Sequence, residues 1–325
     1  MDLTNLEDRA AAVLDPAAAA YVARGGTTNT HAWHRFALRP HVLRDVTTVD
    51  IATSICGVAV AMPVFVAPTA MHQLVHTDAE AATAHAAARA NTIMVTSMAA
   101  SMPVEEIAAA EPNAPRFAQM YMLRDRGATR ALAERAAATG VRAIVASVDG
   151  AAVPHGRELR AAAPLTDNVN ALVDDFDPSV TFDDLALFGE WSGLPVIVKG
   201  VLRGDDALQC IDAGARVIYV SNHGGRIVGE TIDTATALVD VVEQVDGRAE
   251  IYVDGGIRSG IDVLRALALG AHAVGIGRPV LWGLAVDGTE GARDVLATFA
   301  RELRRALAFC GAASLDQLTR DLVTP

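Results

Sequence analysis

Lysine is nearly missing from this chain. Of 27 cationic side chains Lys199 is the single lysine, and the other 26 are arginine. A sequence that writes arginine wherever a surface cation will serve keeps a lysine for a lysine's own chemistry, a compact charge on a flexible stem. Cysteine is scarce too: Cys56, Cys210 and Cys310 lie far apart, with no metal-ligand spacing, and the nine histidines form no His-Glu-x-x-His pattern. The expectation is therefore no metal and a reducing, cytoplasmic setting. Clustered basic residues are absent and the net charge is −12, which disfavours nucleic acid and anionic membrane as partners. The amino terminus has no apolar core of a secretory signal. The long uncharged stretch 51–75 is interrupted by Pro63 and Pro68, so it makes a poor membrane span.

What is present is a core-forming chain, 51% hydrophobic and 20% charged, which fits a large folded unit rather than a disordered one. Beyond about residue 60, short apolar runs alternate with alanine-rich helical patterns. The runs are 64–67, 93–96, 116–120, 143–148, 196–199, 217–221, 251–254 and 273–277. Helical patterns between them include 78–90, 128–138, 205–213 and 262–269, and 292–308 follows the last run. Alternation of this kind predicts a parallel sheet with helical crossovers, and eight repeats in about 250 residues are the size of a (β/α)8 TIM barrel, an α/β fold. An open doubly wound sheet is the alternative. The whole chain, 1–325, reads as a single barrel domain. Residues 1–60 add a helix over about 6–23 and a hairpin at Cys56-Gly57 that closes the barrel bottom. The segment 158–185, rich in Asp, Asn and Pro, reads as a loop over the active-site end.

In a barrel the chemistry gathers at the carboxyl ends of the strands, and the polar residues fall there repeatedly. Gln119 and Tyr121 end the third run, Ser147 and Asp149 the fourth, and Lys199 the fifth. Ser221-Asn-His223-Gly-Gly-Arg226 ends the sixth, Asp254-Gly-Gly-Ile-Arg258 the seventh, and Gly275-Ile-Gly277-Arg278-Pro279 the eighth. Glycine-rich turns followed by helix starts after the last two strands suit a phosphate group. His223, beside Arg226 and near the carboxylate of Asp149, suits proton abstraction from an anionic substrate whose carboxylate the arginines hold.

With these residues in view, the chain resembles the FMN-dependent α-hydroxy acid oxidases and dehydrogenases, related to glycolate oxidase, lactate oxidase and mandelate dehydrogenase. The resemblance runs from Tyr21 to the carboxyl-terminal helix. It is carried by the 221–226 motif, by Asp254 through Gly270 with Gly277-Arg278-Pro279, by Ala67-Pro68-Thr69-Ala70-Met71 and by Gln119-Met-Tyr121. It implies His223 as the base, Asp149 as its partner, Tyr121 at the substrate hydroxyl, and Arg226, Arg157 and Tyr21 on the substrate carboxylate. For the cofactor it implies Pro68, Thr69, Ala70, Ser97, Gln119 and Ser147 on the isoalloxazine, with Ser221 in the same cofactor-binding set. Lys199 would sit at the pyrimidine edge and Asp254 on the ribityl chain, with Gly256, Arg258, Gly277 and Arg278 on the phosphate.

The chain departs from the family pattern in four places. Gly150-Ala-Ala stands where Thr-Pro-Arg is usual, with one residue more before Arg157. Ile227-Val228-Gly229 replaces Gln-Leu-Asp, and Ala99 stands where the short-chain oxidases carry a large aromatic. The 158–178 loop is short and has no apolar membrane-inserting segment. The implied activity is oxidation of an L-2-hydroxy acid to the 2-oxo acid with FMN as hydride acceptor, reoxidised by O2, on a substrate bulkier than glycolate. Oxidation of an amine or peptide-derived intermediate, use of a non-oxygen acceptor, and a barrel without catalysis are the alternatives. The resemblance also implies a homo-oligomer, a tetramer or octamer.

Overall fold

In the computed structural model, which describes residues 2–150 and 176–324, eight strands close into a parallel barrel. A two-residue strand β1 (Ala37–Leu38) and a hairpin of β2 (Thr53–Ile55) and β3 (Val58–Val60) precede it. The barrel is built from β4 (Val64–Val66), β5 (Met94–Thr96), β6 (Arg116–Met120), β7 (Ile144–Ser147), β8 (Val196–Val201), β9 (Val217–Val220), β10 (Glu250–Val253) and β11 (Ala273–Ile276). Each strand pairs with the next, and β11 closes on β4 through Val274–Val64 and Ile276–Val66. At the carboxyl end of the chain β12 (Val323–Thr324) pairs antiparallel with β1. All eight apolar runs are strands, each within two residues of the predicted ends.

The period of two along each strand sorts the side chains into two cores. Phe65, Val95, Phe117, Val145, Ile197, Tyr219 and Tyr252 point into the barrel. Their neighbours Val66, Met94, Ala118, Ile144, Val198, Ile218 and Val253 point outward against the helices. Four of these are aromatic, and Phe65 is centred 5.5 Å from both Tyr219 and Tyr252 in edge-on and tilted contacts. Gly275 makes room for them, because a Cβ there would lie 2.1 Å from the Tyr219 hydroxyl. The hairpin turns at Cys56 and Gly57, both with positive φ, and packs Ile55 and Val60 into the inner core, so it seals the bottom as expected.

The outer helices are α4 (Ala79–Arg89), α5 (Val104–Ala110), α6 (Arg126–Ala138), α7 (Leu185–Ser192), α8 (Gly204–Asp212), α9 (Thr234–Val245), α10 (Gly260–Ala268) and α11 (Arg278–Phe309). Two helical expectations need correction. The helix expected over 6–23 is two helices, α1 (Leu6–Val13) and α2 (Pro16–Ala23). Pro16 cannot continue a helix and biases Asp15 towards extended backbone, while the Asp15 carboxylate caps α2 by accepting from the Ala17 amide. The last helix begins at Arg278 rather than 292, with a break in its backbone at Asp287 and Gly288. A further short helix, α3 (Thr28–Trp33), lies against the barrel top. Asn29 exchanges two hydrogen bonds with Asn222, at 2.7 and 3.0 Å, and the Trp33 indole donates to the Gly255 carbonyl at 2.8 Å. The amino-terminal extension therefore reaches the strand-end loops as well as the bottom.

Candidate active site

A cavity of about 340 Å³ opens at the carboxyl ends of the strands. A chain of hydrogen bonds runs along its floor, one strand end to the next. The Gln119 side-chain carbonyl accepts from the Met98 amide (3.2 Å) and the Ser97 hydroxyl (3.3 Å), and its amide donates to Ser147 Oγ (3.1 Å). Further round, Lys199 Nζ donates to Ser221 Oγ (2.9 Å), which donates to Asp254 Oδ1 (2.6 Å). Asp254 Oδ2 also stands 3.6 Å from the ammonium, which lies over the Tyr219 ring. Lys199 is only 2% exposed, so its charge is balanced by a carboxylate and a π-face rather than by water. Ser221 is fully buried and outside the cavity wall, one layer beneath it.

On one side stands a histidine held by two groups. His223 Nδ1 is 3.0 Å from Asp149 Oδ2, and Nε2 is 3.3 Å from the Tyr121 hydroxyl. The residue has φ +57, which the Gly224-Gly225 turn after it accommodates; such left-handed non-glycine positions concentrate at functional sites. Asp149 sits where it does because Gly200 leaves it space: a Cβ on Gly200 would come within 2.7 Å of the Asp149 side chain. Burial pushes the Asp149 carboxyl up, but the His223 imidazole and Lys199 outweigh it, and the net shift is downward. The carboxylate is thus ionised and accepts from Nδ1–H, leaving Nε2 as the acceptor atom towards the cavity. Burial, Asp149 and Tyr21 drive the Tyr121 phenol well above its ordinary range, so it stays protonated and donates.

On the other side arginines converge. Arg226 Nη2 donates to the carbonyls of Tyr21 (3.0 Å) and Val22 (2.9 Å), satisfying the carboxyl end of α2, and its guanidinium stacks on the Tyr21 ring at 5.1 Å. Arg258 stacks on Trp282 at 4.9 Å. Burial first and Arg278 second push the Arg258 guanidinium down to about 10. Burial and Arg226 lower Arg278 in turn. These cations repel one another, and a bound anion would relieve the repulsion. Arg278 also opens α11, which has no side-chain cap; Pro279 brings no amide hydrogen and the Val280 amide donates to the Gly277 carbonyl at 2.9 Å, so the helix contributes its dipole more than free amides.

The chain matches the FMN-dependent dehydrogenase family over residues 5–325. It is a member of that family. It is 36% identical over 321 residues to mouse 2-hydroxyacid oxidase 1, covering 91% of this chain and 87% of the relative. It is 39% identical over 318 residues to an L-lactate oxidase of Nostoc, with 89% and 87% covered. Among solved structures it resembles a mandelate oxidase variant with (S)-mandelic acid at a TM-score of 0.90 and 37% identity, covering 99% of this chain and 97% of that one.

The cavity fits FMN, the family's cofactor. Arg258 and Arg278, with the positive end of the α11 dipole behind Arg278, would cradle the phosphate. Asp254 could accept from the ribityl hydroxyls, and the polar floor of Ser97, Gln119, Ser147 and Lys199 would suit a ring that both donates and accepts. Pro68, Thr69, Ala70, Ala99, Gly256 and Gly277 line the same cavity, as do Tyr21, Tyr121, His223 and Arg226. Gly256 has a second reason to be glycine, since a Cβ there would lie 2.3 Å from the backbone of Asn29 in α3. Arg157 lies outside the described residues, as does most of the 158–185 loop. Sequence reasoning missed Phe176, which stacks on Tyr121 with ring centres 4.4 Å apart and lines the cavity. It also missed Met98, Arg24 and Leu281 in the wall. None of these stands in a motif, and Phe176 falls in the stretch with the weakest pattern.

Proposed function

We propose that this chain oxidises an L-2-hydroxy acid to the 2-oxo acid, with His223 as the base. The observation that carries this reading is the pairing of His223 with Asp149 and Tyr121 at the cavity wall, with Arg226 in the same wall. Arg226 supplies the positive charge for the substrate carboxylate, and fixing that group orients the α-carbon. Tyr121 donates to the substrate hydroxyl oxygen, and His223 Nε2 takes the hydroxyl proton as the α-hydrogen leaves. Asp149 stabilises the resulting imidazolium and keeps Nδ1 protonated. Bound FMN supplies the two-electron acceptor for the α-hydrogen as hydride. Lys199, a fixed cation in the floor, favours the negative charge that reduction brings.

The position of Ala99 in the wall supports a substrate bulkier than glycolate, with an aryl or branched side chain. Oxygen as the terminal acceptor rests on the oxidase names of the relatives. The three unpaired cysteines support a reducing, cytoplasmic location. Among the described residues no helix is long and apolar enough to cross a membrane. A homo-oligomer is supported by exposed apolar side chains near the carboxyl-terminal helix, Val42 (76%), Leu43 (101%) and Phe309 (69%). The test is anaerobic bleaching of the bound flavin across a panel of 2-hydroxy acids, followed by air. We expect bleaching by aryl or branched L-acids and recovery in air. Glycolate as the best substrate would overturn the size assignment. His223→Asn should keep the yellow colour and slow bleaching by about 10²–10⁴-fold, the usual worth of a general base.

A further inference from the structure

One buried polar network touches the cavity without belonging to the chemistry above. His72 opens a short 3-10 turn just after the Pro68–Ala70 loop and is 1% exposed. Its Nε2 lies 2.7 Å from the Thr69 hydroxyl, and its Nδ1 lies 2.9 Å from the Thr83 hydroxyl inside α4. The string therefore runs from the helix through the imidazole to Thr69, which lines the cavity. Beneath it Glu80, fully buried, accepts from the backbone amides of His72 (3.0 Å) and Ser101 (2.9 Å). Those two amides belong to the loops after β4 and β5, so one carboxylate ties both loops to α4. A second tie joins them directly, as the Gln73 amide donates to Ser101 Oγ at 3.0 Å.

A buried imidazole flanked by two hydroxyls is costly to place unless both ring nitrogens are satisfied. Both are. Burial lowers the affinity of the ring for a second proton, against the pull of Glu80, so the ring is neutral with one donor and one acceptor nitrogen. A threonine hydroxyl alone turns freely about its bond. With one side engaged by His72 Nε2, its remaining hydrogen-bonding capacity has a fixed direction.

We propose that His72 is a positioning residue which, held by Thr83 and Glu80, fixes the Thr69 hydroxyl towards the FMN ring and so sets the strength and redox bias of FMN binding. The proposal rests on FMN occupying this cavity. It assigns His72 no contact with substrate and no proton transfer. Its effect passes through Thr69 alone, and that makes it separable from a packing role.

The experiment is a double-mutant cycle on the holoenzyme with Thr69→Val, His72→Leu and the double variant. Two quantities are read, the FMN dissociation constant from flavin fluorescence and the midpoint potential from anaerobic dye titration. Losing one neutral hydrogen bond should weaken FMN binding about three- to tenfold in Thr69→Val. His72→Leu should weaken it by a similar factor, and the double variant should be no worse than Thr69→Val alone, because the pair acts as one unit. The visible spectrum and potential should move together in both single variants. Equal effects of His72→Leu in the wild-type and Thr69→Val backgrounds would show mere packing and overturn the proposal, as would an unchanged dissociation constant and potential in Thr69→Val. His72→Gln, whose amide can reach Thr69, should restore wild-type binding if His72→Leu fails to fold. Loss of binding in a folded His72→Gln also counts against the proposal. Wild-type protein that binds no FMN would instead remove the cofactor reading itself.

Discussion

Asp149 and Lys199 are the two charged residues at the cavity whose state the chemistry depends on most directly. The Asp149 carboxyl is held below its ordinary value. A depressed carboxyl contributes stability that is fully present above its unfolded value, about 3.9, and is lost as pH falls through the folded value. We expect the acid limb of a thermal-shift profile to be flatter in Asp149→Asn than in the wild type. At neutral pH the variant should bleach at least tenfold more slowly with its FMN retained, because Nδ1 then lacks an anionic acceptor. Parallel acid limbs in the two proteins would remove the assignment. Lys199→Arg keeps the charge but must fit a planar fork where the ammonium meets Ser221, Asp254 and the Tyr219 face. The folded variant should reduce its flavin more slowly, and an unchanged rate in anaerobic stopped flow would contradict the role given to this residue. Both residues were legible from their places at strand ends. His72 and Glu80 were not, because nothing local separates a buried histidine or glutamate in an alanine-rich segment from a solvated one.

At the level of elements, the eight strands were legible because each is a run of β-branched and apolar residues ended by polar ones. Their helices were less so where alanine blurs the amphipathic pattern, and the start of α11 was hidden because Gly277-Arg278-Pro279 reads as a turn as readily as a helix start. The irregularity in β8 between Lys199 and Val201 shows how an element sets the site. Gly200 has φ +107, and any Cβ there meets Asp149. Gly200→Ala should cost on the order of 1–3 kcal/mol from backbone strain alone. It should also displace Asp149 from His223, lowering kcat more than tenfold while the flavin absorbance survives. A variant with lowered melting temperature but full kcat would show that Asp149 tolerates the shift. The local pattern reads residues 1–60 as one helix and a hairpin closing the barrel bottom, and only the family resemblance carries a residue of that helix, Tyr21, to the site. In the structure α2 and α3 engage Arg226, Asn222 and Gly255 at the top. That arrangement depends on contacts about 200 residues apart in sequence, which no local pattern encodes.

For the whole molecule, Val42 and Leu43 stand in solvent beside the end of α11, where the His41 amide donates to the Cys310 carbonyl at 3.1 Å. If this patch joins copies of the chain, Val42→Asp with Leu43→Asp should shift the mass by light scattering to a smaller species with its flavin retained. An unchanged mass would place the contact elsewhere. The barrel holds one further consequence, which follows from Lys199. The only ε-amino group in the chain is 2% exposed, in the cavity floor. Acylating reagents that decorate most proteins at many surface lysines find no lysine side chain to attack in this one while it stays folded. The appearance of an acylated Lys199 in a mass spectrum would therefore report opening of the barrel top at one known position.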